Sequence, residues 1–145
     1  PIVCRLARRF KIRAVRYCYE PAELANVPWP LSDSESKRAA RNLRRMARMN
    51  RMYDKGLIGT DMTLGLTHVG GIDVNFFKAV SLYADGGIME VMTHPAVSDE
   101  PKPTGLLKMQ RKTEFEALCD ERTRQYLHEA KIELIHYGML KSAKG

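Results

Sequence analysis

Cysteine is scarce in this 145-residue sequence: Cys4, Cys18 and Cys119 are odd in number and share no close spacing. That excludes a disulfide framework of paired, evenly spaced cysteines. With no Cys-x-x-Cys and no histidine at ligand spacing, it also excludes the usual zinc patterns. We therefore read the thiols as reduced and the setting as cytoplasmic. Long apolar runs are missing too, and none approaches the ~18 residues of a membrane helix. No secretory leader pattern is present. The chain opens on Pro1 rather than Met, so a processed, trimmed or partial chain is expected. Gly70-Gly71 and Gly86-Gly87 lack the spacing of a dinucleotide or P-loop fingerprint. There is no internal repeat and no low-complexity segment.

What is present is an ordinary globular balance, 44% hydrophobic and 28% charged, in a length that suits a single domain over residues 1–145. Net charge is +7, and the excess is local. Lys37, Arg38, Arg41, Arg44, Arg45, Arg48, Arg51 and Lys55 face one acid, Asp54. Ala39, Leu43, Met46, Asn50, Tyr53 and Leu57 recur at helical spacing within the same stretch, so residues 37–55 read as an amphipathic helix with a solvated basic face. No base-stacking aromatics interleave with the arginines, which counts against nucleic acid.

Helix and strand patterns alternate along the chain. Residues 2–10 have helical period, 12–17 alternate like a strand, and the proline-rich stretch 19–31 reads as a loop. Ser32-Asp33-Ser34-Glu35 supplies an N-cap for the basic helix. A short strand is expected over 62–66, a loop carrying His68 over 67–71, a helix over 73–84 and a strand over 88–92. A loop over 96–105, helices over 112–119 and 121–131, a strand over 132–137 and a disordered tail from 141 complete the order. This is the pattern of an α/β protein with a largely parallel sheet.

The strand over 88–92 leads into Thr93-His94-Pro95, and proline cannot continue a central strand. His94 thus falls at a strand's carboxyl end, where α/β folds gather their chemistry. The plainer alternative is a hydrogen-bonded structural histidine. Glu90 shares a face with His94, because side chains alternate. A carboxylate in an apolar strand is costly unless paired, so Glu90 either orients neighbouring groups or forms an ion pair. Arg16 and Glu20 are further candidates at the end of the 12–17 strand, their simplest role a surface salt bridge.

Arg13-Ala14-Val15-Arg16-Tyr17-Cys18-Tyr19-Glu20-Pro21, Gly65-Leu66, Glu90-Val91-Met92-Thr93-His94-Pro95, Glu114 with Glu116-Ala117-Leu118, and Ile132-Glu133-Leu134-Ile135-His136-Tyr137 occur in one order. Together they resemble the C-terminal half of the YdjC-like (ChbG-type) carbohydrate deacetylases. Arg16-x-x-Tyr19-Glu20-Pro21 is most similar to the branch associated with hopanoid biosynthesis. The Glu-x-Met-x-His-Pro block is the most specific part.

The resemblance implies the C-terminal portion of an irregular (β/α) barrel and a hydrolase that needs a divalent metal, Mg or Zn. Such an enzyme removes acetyl groups from N-acetylated sugars, in an oligosaccharide or a glycolipid. The metal polarises the amide carbonyl and activates water, a carboxylate takes a proton, and a histidine protonates the leaving amine. His94 matches the family's His-Pro position and so stands for that acid, or for a group steadying the tetrahedral intermediate. Arg16 would orient site carboxylates or contact substrate, with Glu20 and Glu90 as site-orienting or substrate-binding companions.

The family's Asp-Asp and His-x-His metal motifs are not in this sequence, and Pro1-Ile2-Val3 resembles the residues that follow the histidine motif. The expectation is a chain without metal ligands or general base, inactive alone, that pairs with an N-terminal half or forms a homo-oligomer. Ala96 stands where the family usually has glycine, and Cys18 where proline is common. Two alternatives remain: a non-catalytic module whose basic helix 37–55 binds an acidic partner or nucleic acid, and a barrel homologue that has lost catalysis.

Overall fold

A computed structural model describes residues 2–21, 33–52, 56–68, 71–83, 86–98 and 111–140. Its elements are α1 (Ile2–Arg9), α2 (Asp33–Asn50), β1 (Met62–Leu64), α3 (Val74–Leu82), β2 (Met89–Val91), α4 (Arg111–Cys119) and α5 (Glu121–Glu129), with a closing 3₁₀ turn at Tyr137–Met139. β1 and β2 pair in parallel, Met62 opposite Met89 and Leu64 opposite Val91. The mixed helix and parallel-sheet architecture expected from the sequence is present, on a small sheet. Most of the proline-rich stretch 19–31, much of 96–105 and the tail from 141 lie outside the described residues.

Parallel pairing places the carboxyl ends of both strands at one edge. The Met92 amide continues the ladder by donating to the Leu64 carbonyl at 2.9 Å. Gly65 then turns with φ of +84°, and a Cβ there would lie 2.7 Å from the Met92 carbonyl oxygen. Only glycine combines that dihedral with so close an approach.

Residues 12–17 form one parallel bridge rather than the expected strand, Ala14 opposite Ile58. Beyond the bridge the segment bonds through mixed partners: the Thr63 amide donates to the Tyr19 carbonyl at 2.6 Å, and the Thr63 hydroxyl to the Tyr17 carbonyl at 2.8 Å. The expected strand over 132–137 is likewise corrected: residues 132–136 carry no regular structure, and Tyr137 enters the 3₁₀ turn. Alternating apolar residues are there, but among the described residues no neighbouring backbone completes a ladder with them.

Both of these extended segments leave a helix in the same way. Lys11 and Lys131 each have φ of 56°, in the left-handed region. The Ile12 amide donates to the Ala7 carbonyl at 2.8 Å, and the Ile132 amide to the Leu127 carbonyl at 2.9 Å. These are Schellman ends with lysine in the position usually held by glycine.

The core is built on α3. Asp73 caps it, its Oδ1 accepting the amides of Asn75 and Phe76 at 2.8 and 3.0 Å. Phe76, Phe77 and Val80 then point inward against Leu64, Ile72 and Ala117, with Met62, Met89 and Val91 packed alongside. Met89 and Val91 thus lie on the helical side of β2, and alternation turns Glu90 to the other face. α4 and α5 meet at Asp120, which caps α5, and the Thr123 hydroxyl donates back to the Ala117 carbonyl at 2.7 Å.

On α2, Arg38, Arg41, Arg44, Arg45 and Arg48 are exposed, whereas Leu43, Met46 and Asn50 are half-buried. Asn50 donates from Nδ2 to the Cys18 carbonyl at 2.9 Å. The basic residues therefore occupy the solvated side of an amphipathic helix.

Candidate functional site

Glu20 and His94 lie at the carboxyl edge of β1 and β2. Glu20 is buried there, with Oε1 accepting the Gly65 amide at 2.8 Å and Oε2 the Thr67 amide at 2.9 Å. One carboxylate thus shapes the whole turn that leaves β1, a use that compensates the cost of its burial. His68, 3% exposed, packs its ring against Phe76 with centroids 5.3 Å apart. Its Nδ1 lies 3.1 Å from the Thr67 hydroxyl and 3.9 Å from Glu20 Oε1. Sequence reasoning noted His68 only as a loop residue, and its neighbourhood with Glu20 is a product of the fold.

His94 follows β2 at the same edge, half-buried. The backbone around it is fastened to the start of α4. Its amide donates to Glu114 Oε2 at 2.5 Å, and its carbonyl accepts from Arg111 Nε at 3.1 Å. The ring is differently placed: Nδ1 is buried and meets no hydrogen-bond partner among the described residues. Structural histidines are ordinarily tied through the ring. Here the main chain carries the ties.

Arg16 and Glu90 are brought together. Arg16 Nε donates to Glu90 Oε1 at 2.9 Å, and Nη2 contacts the same oxygen. The other oxygen accepts from the Tyr137 hydroxyl at 2.6 Å. Burial alone would raise the Glu90 carboxyl, but the bonds from Arg16 and Tyr137, with the Arg16 charge, outweigh it and hold it below the ordinary range. The Arg16 guanidinium is pushed up, chiefly by its bond to Glu90. Burial first, then the bond to Glu90 and the carboxylate charge, push the Tyr137 phenol up to about 12. Glu90 is consequently an ionised acceptor engaged at both oxygens, which suits a brace and not a proton-accepting base.

Two residues that sequence reasoning left without roles, Tyr137 and Glu114, prove central to these contacts. Glu114 carried a legible signal. It falls three residues before Ala117 on one helical face. Tyr137 gave none, since the segment that carries it has no ladder to predict its register.

Beside β2 lies a cleft of about 650 Å³, walled by side chains such as Val80, Val91, Leu127 and Leu134, with Glu90 and Tyr137 also lining it. His94, Arg16 and Glu20 are not among its described lining residues. Among the described residues, no three His, Cys, Asp or Glu side chains converge as a metal ion requires. The described residues by themselves do not offer the ligand set of a divalent ion. No described helix is long and apolar enough to cross a membrane.

Residues 1–129 match the family model described as YdjC-like protein. A protein named carbohydrate deacetylase from Brevibacillus brevis is 30% identical over 141 residues, covering 97% of this chain and 47% of that protein. The chain therefore spans about half the length of the curated relative it matches. No solved structure matches the chain.

Proposed function

The chain belongs to the YdjC-like protein family, and from that membership we propose that it is part of a hydrolase that removes acetyl groups from N-acetylated carbohydrates. The observation that carries the reading is the state of His94. It stands at the carboxyl end of a parallel strand, with both main-chain groups bonded to α4 and Nδ1 without a hydrogen-bond partner among the described residues. A histidine held by its backbone leaves its imidazole for proton transfer, and the carboxyl edge of a parallel sheet is where substrate is met in such folds. In this reading His94 protonates the leaving amine, or steadies the tetrahedral intermediate, as the acetyl group departs.

Glu20 then acts as a site-orienting residue through the Gly65–Thr67 turn. Arg16 and Glu90 act as a brace beneath the site and do not contact the acetyl group. We further read the chain as the C-terminal portion of a (β/α) barrel. The divalent metal, Mg or Zn, would be held by residues other than those described, and no step is assigned through it. The substrate is an oligosaccharide or a glycolipid, and Arg16-x-x-Tyr19-Glu20-Pro21 favours the hopanoid-associated branch. Three free cysteines favour a cytoplasmic setting. Exposed Ile2, Val3 and Leu6 on α1, with Phe10 just past its end, favour association, with the rest of a barrel or with a second copy.

The test is acetate release from N-acetylated oligosaccharides by the whole protein, with and without added Mg or Zn. His94→Ala is expected to lower kcat by about 100-fold or more, the range for removing a general acid. Retention of full activity in His94→Ala would refute the assignment. No acetate release by the wild-type protein on any N-acetylated carbohydrate, with metal supplied, would refute the deacetylase reading itself.

A further inference from the structure

We propose that Glu114, seconded by Arg111, is a positioning residue for His94, setting the location from which its imidazole works. The inference rests on the reading of His94 as the reacting histidine, but its structural part stands apart from that reading and is tested apart from it.

Residues 94–96 contain two backbone N–H groups, because Pro95 has none. Both are taken by the first turn of α4. The His94 amide donates to Glu114 Oε2 at 2.5 Å, and the Ala96 amide to the Arg111 carbonyl at 3.0 Å. Arg111 closes the connection with its own side chain, Nε donating to the His94 carbonyl at 3.1 Å. Three bonds thus pass between two helical residues one turn apart and a three-residue segment. None of them engages the imidazole.

The chemistry of the tie is specific. Glu114 is 0% exposed, and burying a carboxylate costs several kcal/mol unless it makes strong bonds. Packing α4 on the core would be served at least as well by leucine, since Ala117 on the same face is buried against Leu64 and Phe76. A carboxylate offers what leucine cannot: a charged acceptor for an amide left over where a strand ends. Such a bond is short and about twice as strong as a neutral one. β1 turns away at Gly65, just past the bond from the Met92 amide to the Leu64 carbonyl, so the next amide on that side, that of His94, is not met by the β1 ladder. Glu114 replaces the missing strand neighbour.

A displacement of about 1 Å at a reacting group is enough to cost ~100-fold in rate. Holding the His94 backbone from both its amide and its carbonyl fixes the origin of the side chain while leaving the ring its chemistry.

The experiment uses the full chain, isotopically labelled, and reads the amide exchange of His94 and the ring cross-peaks of all four histidines at fixed pH. In Glu114→Gln the His94 amide is expected to exchange at least about 10-fold faster, and the His94 ring cross-peak to move. His128 and His136, exposed on and beyond α5, keep their positions and report an intact fold. Arg111→Ala, a substitution at an exposed residue, is expected to move the same His94 signals by less. That variant keeps the test decisive if Glu114→Gln fails to fold. Unchanged His94 signals in a folded Glu114→Gln, or in Arg111→Ala where the first does not fold, overturn the proposal. In the whole protein, Glu114→Gln should lower kcat with little change in KM, and an equal loss of both would count against positioning. Altered His94 signals together with a wild-type protein that releases no acetate overturn the deacetylase reading alone.

Discussion

Glu90 shows how a single residue's chemistry depends on partners far away in the chain. As a carboxylate inside an apolar strand it requires compensation, and that much follows from its type and position. Arg16 provides it from 74 residues away, and Tyr137 from 47. Because Arg16 is substantially solvated, the pair is expected to contribute only about 1 kcal/mol at neutral pH. The pH dependence has a definite sign. The folded Glu90 carboxyl lies below its ordinary value of 4.5, so its contribution is complete above that pH and is lost as pH falls through the lower folded value. Glu90→Gln should therefore lower the urea midpoint at pH 7, with the gap closing as pH falls well below the ordinary carboxylate range. An equal gap at neutral and low pH would refute the ionised brace. Tyr137 works in the opposite direction. Its phenol is raised from 10 to about 12, so its contribution is complete below 10 and fades as pH climbs through 12.

Helix order followed the sequence, although the basic helix expected over 37–55 runs over Asp33–Asn50; β1 and β2 lie within two residues of expectation, whereas the strands expected over 12–17 and 132–137 do not form among the described residues. Asp73 caps α3 because a short carboxylate reaches the amides two and three residues on, a relation contained in local sequence. Asp120 does the same for α5. Residues 12–17 and 132–137 alternate as strands should, yet a strand exists only where a second backbone runs beside it. The Schellman ends that release these two segments are local again, and both place lysine where a left-handed backbone disfavours a Cβ. Lys131→Gly is expected to stabilise the protein by about 0.5 kcal/mol, the relief of strain partly offset by a more flexible unfolded chain. A lower urea midpoint in Lys131→Gly would show that the lysine side chain contributes more there than its backbone costs.

At the scale of the molecule, the described core is small and centred on α3, with Leu64, Ile72, Phe76, Phe77, Val80 and Ala117 at its heart. A two-stranded sheet has little stability of its own, so the carboxyl edge depends on α3 and α4 behind it. Amide exchange should accordingly be slowest at Leu64 and at Phe76 through Val80, and fastest in residues 132–136, where Leu134 is 79% exposed. Equal protection across these regions would mean that the last segment is paired in solution in a way the described contacts do not include. The two buried carboxylates follow one plan. Glu20 holds the exit of β1 and Glu114 the exit of β2, each accepting amides that the sheet leaves unpaired.

By itself the sequence determined the order of helices, the amphipathic basic helix, the family, and the position of His94 at the end of an apolar strand. All of these rest on residues close together in the chain, or on a pattern of types in one order. Tertiary structure alone decided that Arg16 and Tyr137 share Glu90, that Glu20 shapes the Gly65 turn, that Glu114 holds the His94 amide, and that two strand-like segments remain without ladders. Each of these depends on which groups meet across the fold. A buried carboxylate announces in sequence that it needs a partner, and only packing chooses which one.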